Sequence, residues 1–183
     1  RQSLQNVPAS VTVIRGETLE RFGITSVPEA LRIVAGMAVE QVAGSDYRVG
    51  YHGTNIINPR RMNVLIDGVS VYQPALARVD WKQLPVMIED IDRIEVTRGP
   101  NSAAYGPNSM TAVVNIISKD PRDVEAAAVS AWIGSGGVVS LGGRAAGAIG
   151  DSTVRVTLNA SRDQGFRYDP DSPQSHDGTS LAH

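Results

Sequence analysis

Arg93-Ile-Glu-Val-Thr-Arg-Gly-Pro-Asn-Ser-Ala-Ala-Tyr-Gly-Pro-Asn-Ser-Met-Thr-Ala-Val-Val-Asn-Ile-Ile-Ser118 sets two β-type runs on either side of a compact turn built from Gly99, Pro100, Ser102, Tyr105 and Gly106. Gly99 can take a positive φ that a Cβ would resist, Pro100 is pre-set for the first position of a helical turn, and Gly106 can end that turn in the left-handed region. The stretch predicts a strand, one tight helical turn and a second strand. Strand-turn-strand units of this kind also occur in soluble α+β domains, so on its own the stretch leaves the fold open.

Working outward, residues 7–118 read as a mixed α+β module. Val11 to Arg15 alternates as a short strand, and Gly16 to Gly23 is a short helix closed by glycine. A second helix is expected from the cap Ser26, with Glu29 returning a bond to that cap and Gly36 as the stop. Its buried stripe would be Ala30, Leu31 and Val34. Val39 to Val42 and Val49 to His52 are short extended pieces around a Gly44-Ser45-Asp46 turn. Met62 to Val71 reads as a hairpin hinged at Asp67-Gly68, a dipeptide suited to the positive φ values of a tight turn.

The chain has 183 residues, enough for one domain and an appendage. Its formal charge is -2, its pI is about 5.9, and no Lys or Arg stripe lines up to neutralise phosphates, which argues against a nucleic-acid partner. The absence of cysteine excludes disulfides, thiolate metal sites and thiol nucleophiles within the chain. No run approaches the ~18 apolar residues of a membrane helix, so any crossing must be made by strands.

The pattern changes at Lys119-Asp120-Pro121-Arg122-Asp123. Three long alternating strands follow, at Val124 to Ile133, Val138 to Ile149 and Ser152 to Phe166, with a fourth beginning at Leu181 to His183. In the third, Val154, Val156, Leu158 and Ala160 share one face, and Arg155, Thr157, Asn159 and Ser161 the other. Such a dyad suits a transmembrane barrel strand with one face in lipid, or a soluble meander with one wet face. Gly150-Asp151 makes a short turn, whereas Asp163 to Gly178 is a long polar loop, the asymmetry of barrel turns and loops.

The opening stretch resembles the end of the plug domain of TonB-dependent outer-membrane receptors, through Ile94, Glu95, Val96, Arg98, Gly99, Pro100, Ser102, Tyr105, Gly106, Val114, Asn115, Ile116 and Ile117. Three further motifs match in order: Pro8, Ser10, Val11, Val13 and Ile14; Leu31, Arg32, Val34 and Gly36; and Leu65, Ile66, Asp67, Gly68 and Val69. The resemblance implies an α+β plug domain, a small mixed β-sheet with short helices, over 7–120. It would be followed over 121–183 by the first antiparallel strands of a truncated transmembrane β-barrel. Too few strands are present to close a barrel, so the protein is expected to continue past His183.

Three positions depart from the family pattern. Ala35 stands where a proline usually ends the helix, and Thr111-Ala112 stands where a Gly-Gly pair is common. Tyr51-His52-Gly53 stands where an arginine precedes the glycine. In the family that arginine and the one matched by Arg98 face glutamates on the inner barrel wall, which makes Arg98 and His52 the expected plug–barrel latch. His52 carries charge only below its pKa, so this latch would be weakened or pH-sensitive, unless His52 is simply a polar residue at a strand end.

The implied function is TonB-dependent, ligand-gated uptake of a scarce solute, most readily a ferric siderophore, across the outer membrane of a Gram-negative bacterium. The plug would lie inside its own β-barrel, in outer-membrane lipid. TonB would pull on a segment upstream of Arg1, and no cofactor is implied. The candidate ligand loops are 43–60 and 72–81. Tyr47, Tyr51, Tyr72 and Trp81 are aromatic platforms there, and Arg60 with Arg61 could face an anionic ligand, although each aromatic is also an ordinary packing residue. The rival reading is a plug-like soluble periplasmic module without transport.

No catalytic motif or paired-histidine metal spacing is present, and an enzyme is not expected. Asp169, Asp171, His176 and Asp177 could hold a cation but read better as solvated loop. Gly143 and Gly147 are read as places where inward side chains pass a strand.

Overall fold

The 93–118 stretch forms two inner strands of a five-stranded sheet. The computed structural model describes residues 10–43, 46–52, 61–75, 78–134, 137–150, 152–163 and 178–182. Among these, β8 (Ile91–Arg98) and β9 (Ala112–Ser118) pair antiparallel, joined through the single helical turn α3 (Ser102–Tyr105). On the far side of β8 lies β1 (Ser10–Arg15); beyond β9 come β4 (Met62–Ile66) and then β5 (Val69–Ser70), giving the order β1-β8-β9-β4-β5. β4 lies parallel to β9, and every other pairing in this sheet is antiparallel.

Alternation explains which residues meet. Ile14, Ile94, Ile116 and Ile66 form one cross-strand row, and Thr12, Val96, Val114 and Val64 the next. These rows share a face, and all their apolar members except the half-buried Ile66 are buried; Leu19, Ala30, Leu31 and Val34 are among the other buried apolar side chains of the core. Leu19 comes from α1 (Gly16–Arg21), whose first residue has no room for a side chain: a Cβ on Gly16 would lie 2.2 Å from the Ile91 carbonyl oxygen.

The turn at 99–106 differs slightly from the expectation. The helix starts at Ser102, and the Asn101 carbonyl accepts from Ala104 N at 3.0 Å and Tyr105 N at 3.0 Å, so Pro100 precedes the turn instead of opening it. Gly99 has φ 100° and Gly106 φ 78°, both in the region that favours glycine. The helix-end carbonyl of Tyr105 is satisfied by Asn63 Nδ2 at 3.2 Å and Ser109 Oγ at 3.3 Å.

In α2 (Val27–Leu31), Ser26 caps as expected, its Oγ accepting from Glu29 N at 3.4 Å. The Glu29 carboxylate, however, returns to Thr25 N at 3.2 Å and Thr25 Oγ1 at 3.0 Å, one residue earlier than predicted. The helix stops at Leu31, and turns carry the chain to Gly36. β2 (Met37–Ala43) and β3 (Asp46–Tyr51) then form a two-stranded sheet, longer than the pieces read from sequence. β6 (Tyr72–Gln73) and β7 (Arg78–Val79) form a short ribbon.

The hairpin between β4 and β5 turns at Asp67 (φ 49°) and Gly68 (φ 84°). Asp67 has a second task that its turn chemistry does not announce. Its Oδ1 accepts from Ser118 N at 2.9 Å and its Oδ2 from Ser118 Oγ at 2.8 Å, which closes the end of β9.

The remaining strands, β10 (Ala127–Gly134), β11 (Val138–Ile149), β12 (Ser152–Asp163) and β13 (Gly178–Ala182), form a four-stranded antiparallel meander that does not close. β10 starts three residues later than the Val124 expected, and β13 starts at Gly178 instead of Leu181. Residues 164–177 lie outside the described set, as do the histidines at 176 and 183. The chain divides into two bodies. The first comprises Arg1–Glu40, Arg48–Asp80 and Ile91–Ser118; the second comprises Gln41–Tyr47, Trp81–Asp90 and Lys119–His183.

Replacing Asp67 with Ala should lower the stability of the first body by about 1–2 kcal/mol, from two exposed hydrogen bonds and left-handed strain. Asn, which tolerates the turn and keeps one acceptor, should lose about half as much. Urea unfolding followed at the sheet signal measures both, and equal losses for the two variants would refute the account.

Candidate functional site

The ligand-loop candidates do not fall in one body. Tyr51, Arg61 and Tyr72 belong to the first, while Tyr47 and Trp81 belong to the second; Arg60 lies outside the described residues. Trp81 opens a short 3-10 turn, Trp81–Gln83, and is half-buried, as is Tyr47 within β3.

Tyr51 is held by packing. A Cβ on Gly36 would come within 2.8 Å of the Tyr51 ring, so Gly36 supplies the flat surface on which that ring lies. The His52 ring meets Tyr51 edge-on, with centroids 4.2 Å apart and planes at 78°. Tyr72 is half-buried in its ribbon, and its N–H donates to Ser70 Oγ at 3.4 Å. Arg61 is exposed, and its carbonyl accepts from Met110 N at 3.0 Å, Thr111 N at 2.9 Å and Thr111 Oγ1 at 2.9 Å. The backbone of Arg61 is therefore structural, and truncating its side chain leaves those bonds in place.

The two latch candidates are placed differently from each other. Arg98 reaches back across β1, donating from Nε to Ser10 O at 3.4 Å and from Nη2 to Thr12 Oγ1 at 2.9 Å. Among the described residues no carboxylate pairs with it. His52 follows β3 with φ 50°, exposed, its N–H bonded to Gly36 O at 3.1 Å. A left-handed backbone at a residue with a Cβ is costly. Elsewhere on β8, Arg93 is pushed above its ordinary pKa, first by its hydrogen bond to Glu95 and then by Asp92, with burial opposing both.

Sequence reasoning missed a polar cluster in the second body. Asp90 ends the 3-10 turn Ile88–Asp90, and its Oδ1 is ion-paired with Arg144 Nη1 of β11. The side chains are 1% and 8% exposed, so both charges are taken out of water. Thr157 Oγ1 reaches Asp90 Oδ2 at 3.5 Å, Lys119 N donates to Asp90 O at 2.8 Å, and Arg155 Nη1 donates to Lys119 O at 3.1 Å. Buried Met87 sits where a side chain on Gly142 would be: a Cβ there would lie 2.5 Å from Met87 Cε. Gly143 and Gly147, by contrast, have open space before them. The glycine that lets a side chain pass is Gly142, not these two. The available signal was Arg144 itself, a lone charge on the polar side of a strand otherwise made of small and apolar residues.

No group of His, Asp or Glu able to hold a metal occurs among the described residues. Asp169, Asp171, His176 and Asp177 lie outside them.

A mixed sheet with a strand, one helical turn and a strand at its centre, leading into an amphipathic meander, is a plug fold followed by antiparallel strands. The sequence matches the family described as TonB-dependent Receptor Plug Domain over residues 3–113. The chain belongs to that family. It is 34% identical over 167 residues to the vitamin B12 transporter BtuB of Photobacterium profundum, covering 90% of this chain and 27% of the relative. Its fold is similar to the ferric yersiniabactin uptake receptor FyuA from Yersinia pestis, with a TM-score of 0.65 and 18% identity over 94% of this chain and 27% of that one. It is also similar to the ferric-catecholate import receptor Fiu from E. coli K12, with a TM-score of 0.61 and 23% identity over 88% and 22%. The chain thus spans about a quarter of the length of these proteins. Each of them is a transporter or receptor, and none is an enzyme.

The backbone at position 52 can be isolated by comparing two variants. His52→Gly and His52→Ala both lose the contact on Tyr51, but only glycine relaxes the left-handed φ. The Gly variant should be more stable than the Ala variant by about 1 kcal/mol, and equal melting temperatures would refute this.

Proposed function

We propose that residues 7–120 are the plug and residues 121–183 the opening strands of the barrel of an outer-membrane transporter, which takes up a scarce extracellular solute when TonB pulls on a segment upstream. One observation carries the reading. Val129, Ile133, Val139, Leu141, Val154, Val156 and Leu158 all fall on the same side of the meander, 42 to 83% exposed. On the other side stand Ser130, Ser140, Arg144, Arg155, Thr157 and Asn159. A contiguous apolar face of this size is costly in water and matched to hydrocarbon, with the polar side turned to a lumen. Strands of 12 residues, as in β11 and β12, extend ~40 Å and cross ~30 Å of hydrocarbon when tilted. A soluble periplasmic module would leave the same face wet, and is not favoured.

Within this reading the ligand is met by the loops that carry Tyr47, Tyr51, Arg60, Arg61, Tyr72 and Trp81, and Arg98 with His52 is the plug's latch toward the barrel wall. A ferric siderophore suits the cationic pair Arg60 and Arg61. Cobalamin is a second reading, favoured by the likeness in sequence to vitamin B12 transporters.

Uptake of radiolabelled cobalamin and of radiolabelled ferric siderophores by cells carrying the complete receptor, with and without TonB, tests the function. TonB-dependent uptake of one of them is expected; recovery of the protein in the soluble periplasm, or uptake indifferent to TonB, would overturn it. For the cargo taken up, Arg61→Ala and Tyr72→Ala should each weaken binding about tenfold, the size of one well-placed contact. His52→Arg should raise the urea concentration needed to loosen the plug. No difference between the two versions across about pH 5 to 8, the span of histidine titration, would dismiss the latch role.

A further inference from the structure

Residues Trp81–Asp90 fall inside the stretch matched to the plug family, yet they fold with the meander and not with the five-stranded sheet. We propose that this segment is an anchor that fastens the plug to the polar face of the barrel strands and stays seated there when the rest of the plug loosens. The proposal rests on the reading of the meander as barrel wall.

Two different physical devices hold the segment. The first is a charge lock: Asp90 and Arg144 are buried as an ion pair, with Thr157 on the second carboxylate oxygen. Lifting the segment breaks this pair and the bond from Thr157, whereas removing one partner while the segment stays seated leaves the other charge buried and uncompensated; Arg144 Nε already lacks a partner among the described residues. The second is a steric seat: Met87, itself buried, occupies the space above Gly142 that a side chain there would fill, with Ser130 Oγ beside it. Both act through the polar face of β11. The Lys119 N–H bond to Asp90 O and the Arg155 bond to Lys119 O tie the exit from β9 into the same cluster. At Ile91 the chain passes directly into β8.

Hydrogen exchange on the complete receptor in detergent, over a series of urea concentrations, reads this directly and needs neither cargo nor TonB. In the natural protein the amides of Trp81–Asp90 should remain protected at urea concentrations where β1 and β4 exchange fully. In Asp90→Asn and in Arg144→Gln their protection should drop about tenfold or more, with β10 to β12 unchanged. Exchange of Trp81–Asp90 together with β1 and β4 in the natural protein, or unaltered protection in both variants, would overturn the proposal. Should either charge variant fail to fold, judged by heat-modifiable gel mobility, Met87→Ala provides the same comparison, with loss of protection confined to Trp81–Asp90 expected and no loss counting against the anchor. Failure of uptake alone would refute the transport reading while leaving this result standing, since exchange is measured without transport.

Discussion

The position of β9 constrains everything else in the first body. Its two neighbours in the five-stranded sheet run in opposite senses, β8 antiparallel and β4 parallel. Antiparallel pairing with β8 needs no more than the helical turn between them, whereas the parallel partner must be fetched from about 50 residues earlier in the chain, a long crossover of the kind parallel pairing demands. Ala112, Val113, Val114 and Ile116 are buried, so β9 is covered on both faces. That burial explains the run of β-branched residues at 113–117, and the one polar interruption, Asn115, keeps an Oδ1 without a partner among the described residues.

Much of this was legible in advance because it is local. The strand, helical turn and strand of 93–118 followed from glycine and proline at positions where φ is restricted, and Asp67-Gly68 announced its hairpin in the same way. The face assignment in the meander followed from strict alternation. Element ends were less legible: α2 was read through to Gly36 but stops at Leu31, and the Glu29 carboxylate chose Thr25 over the cap residue. In both cases competing hydrogen-bond partners one residue apart differ by too little for pattern alone to rank them.

What escaped the sequence were pairings between distant residues. Nothing near Asp67 indicates that its carboxylate will close β9 at Ser118, and nothing near Asp90 names Arg144, 54 positions away. Periodicity reports which face a residue occupies, not what approaches that face. Gly143 and Gly147 read in sequence as the places where side chains pass, but they lie on the apolar side, and Gly142, one position over, is the residue whose missing side chain matters. The aromatic candidates were limited by the same ignorance: Tyr51 is engaged by Gly36 and His52, contacts that its own neighbours in sequence only half suggest.

The fit of Met87 over Gly142 has a consequence for substitution. A methyl group added at position 142 meets Met87 Cε and Ser130 Oγ and obliges the flexible end of Met87 to turn aside, while a shortened residue 87 leaves a void that a larger residue at 142 fills. The two positions, 55 residues apart in the chain by their numbers, are therefore coupled in the volume each leaves to the other.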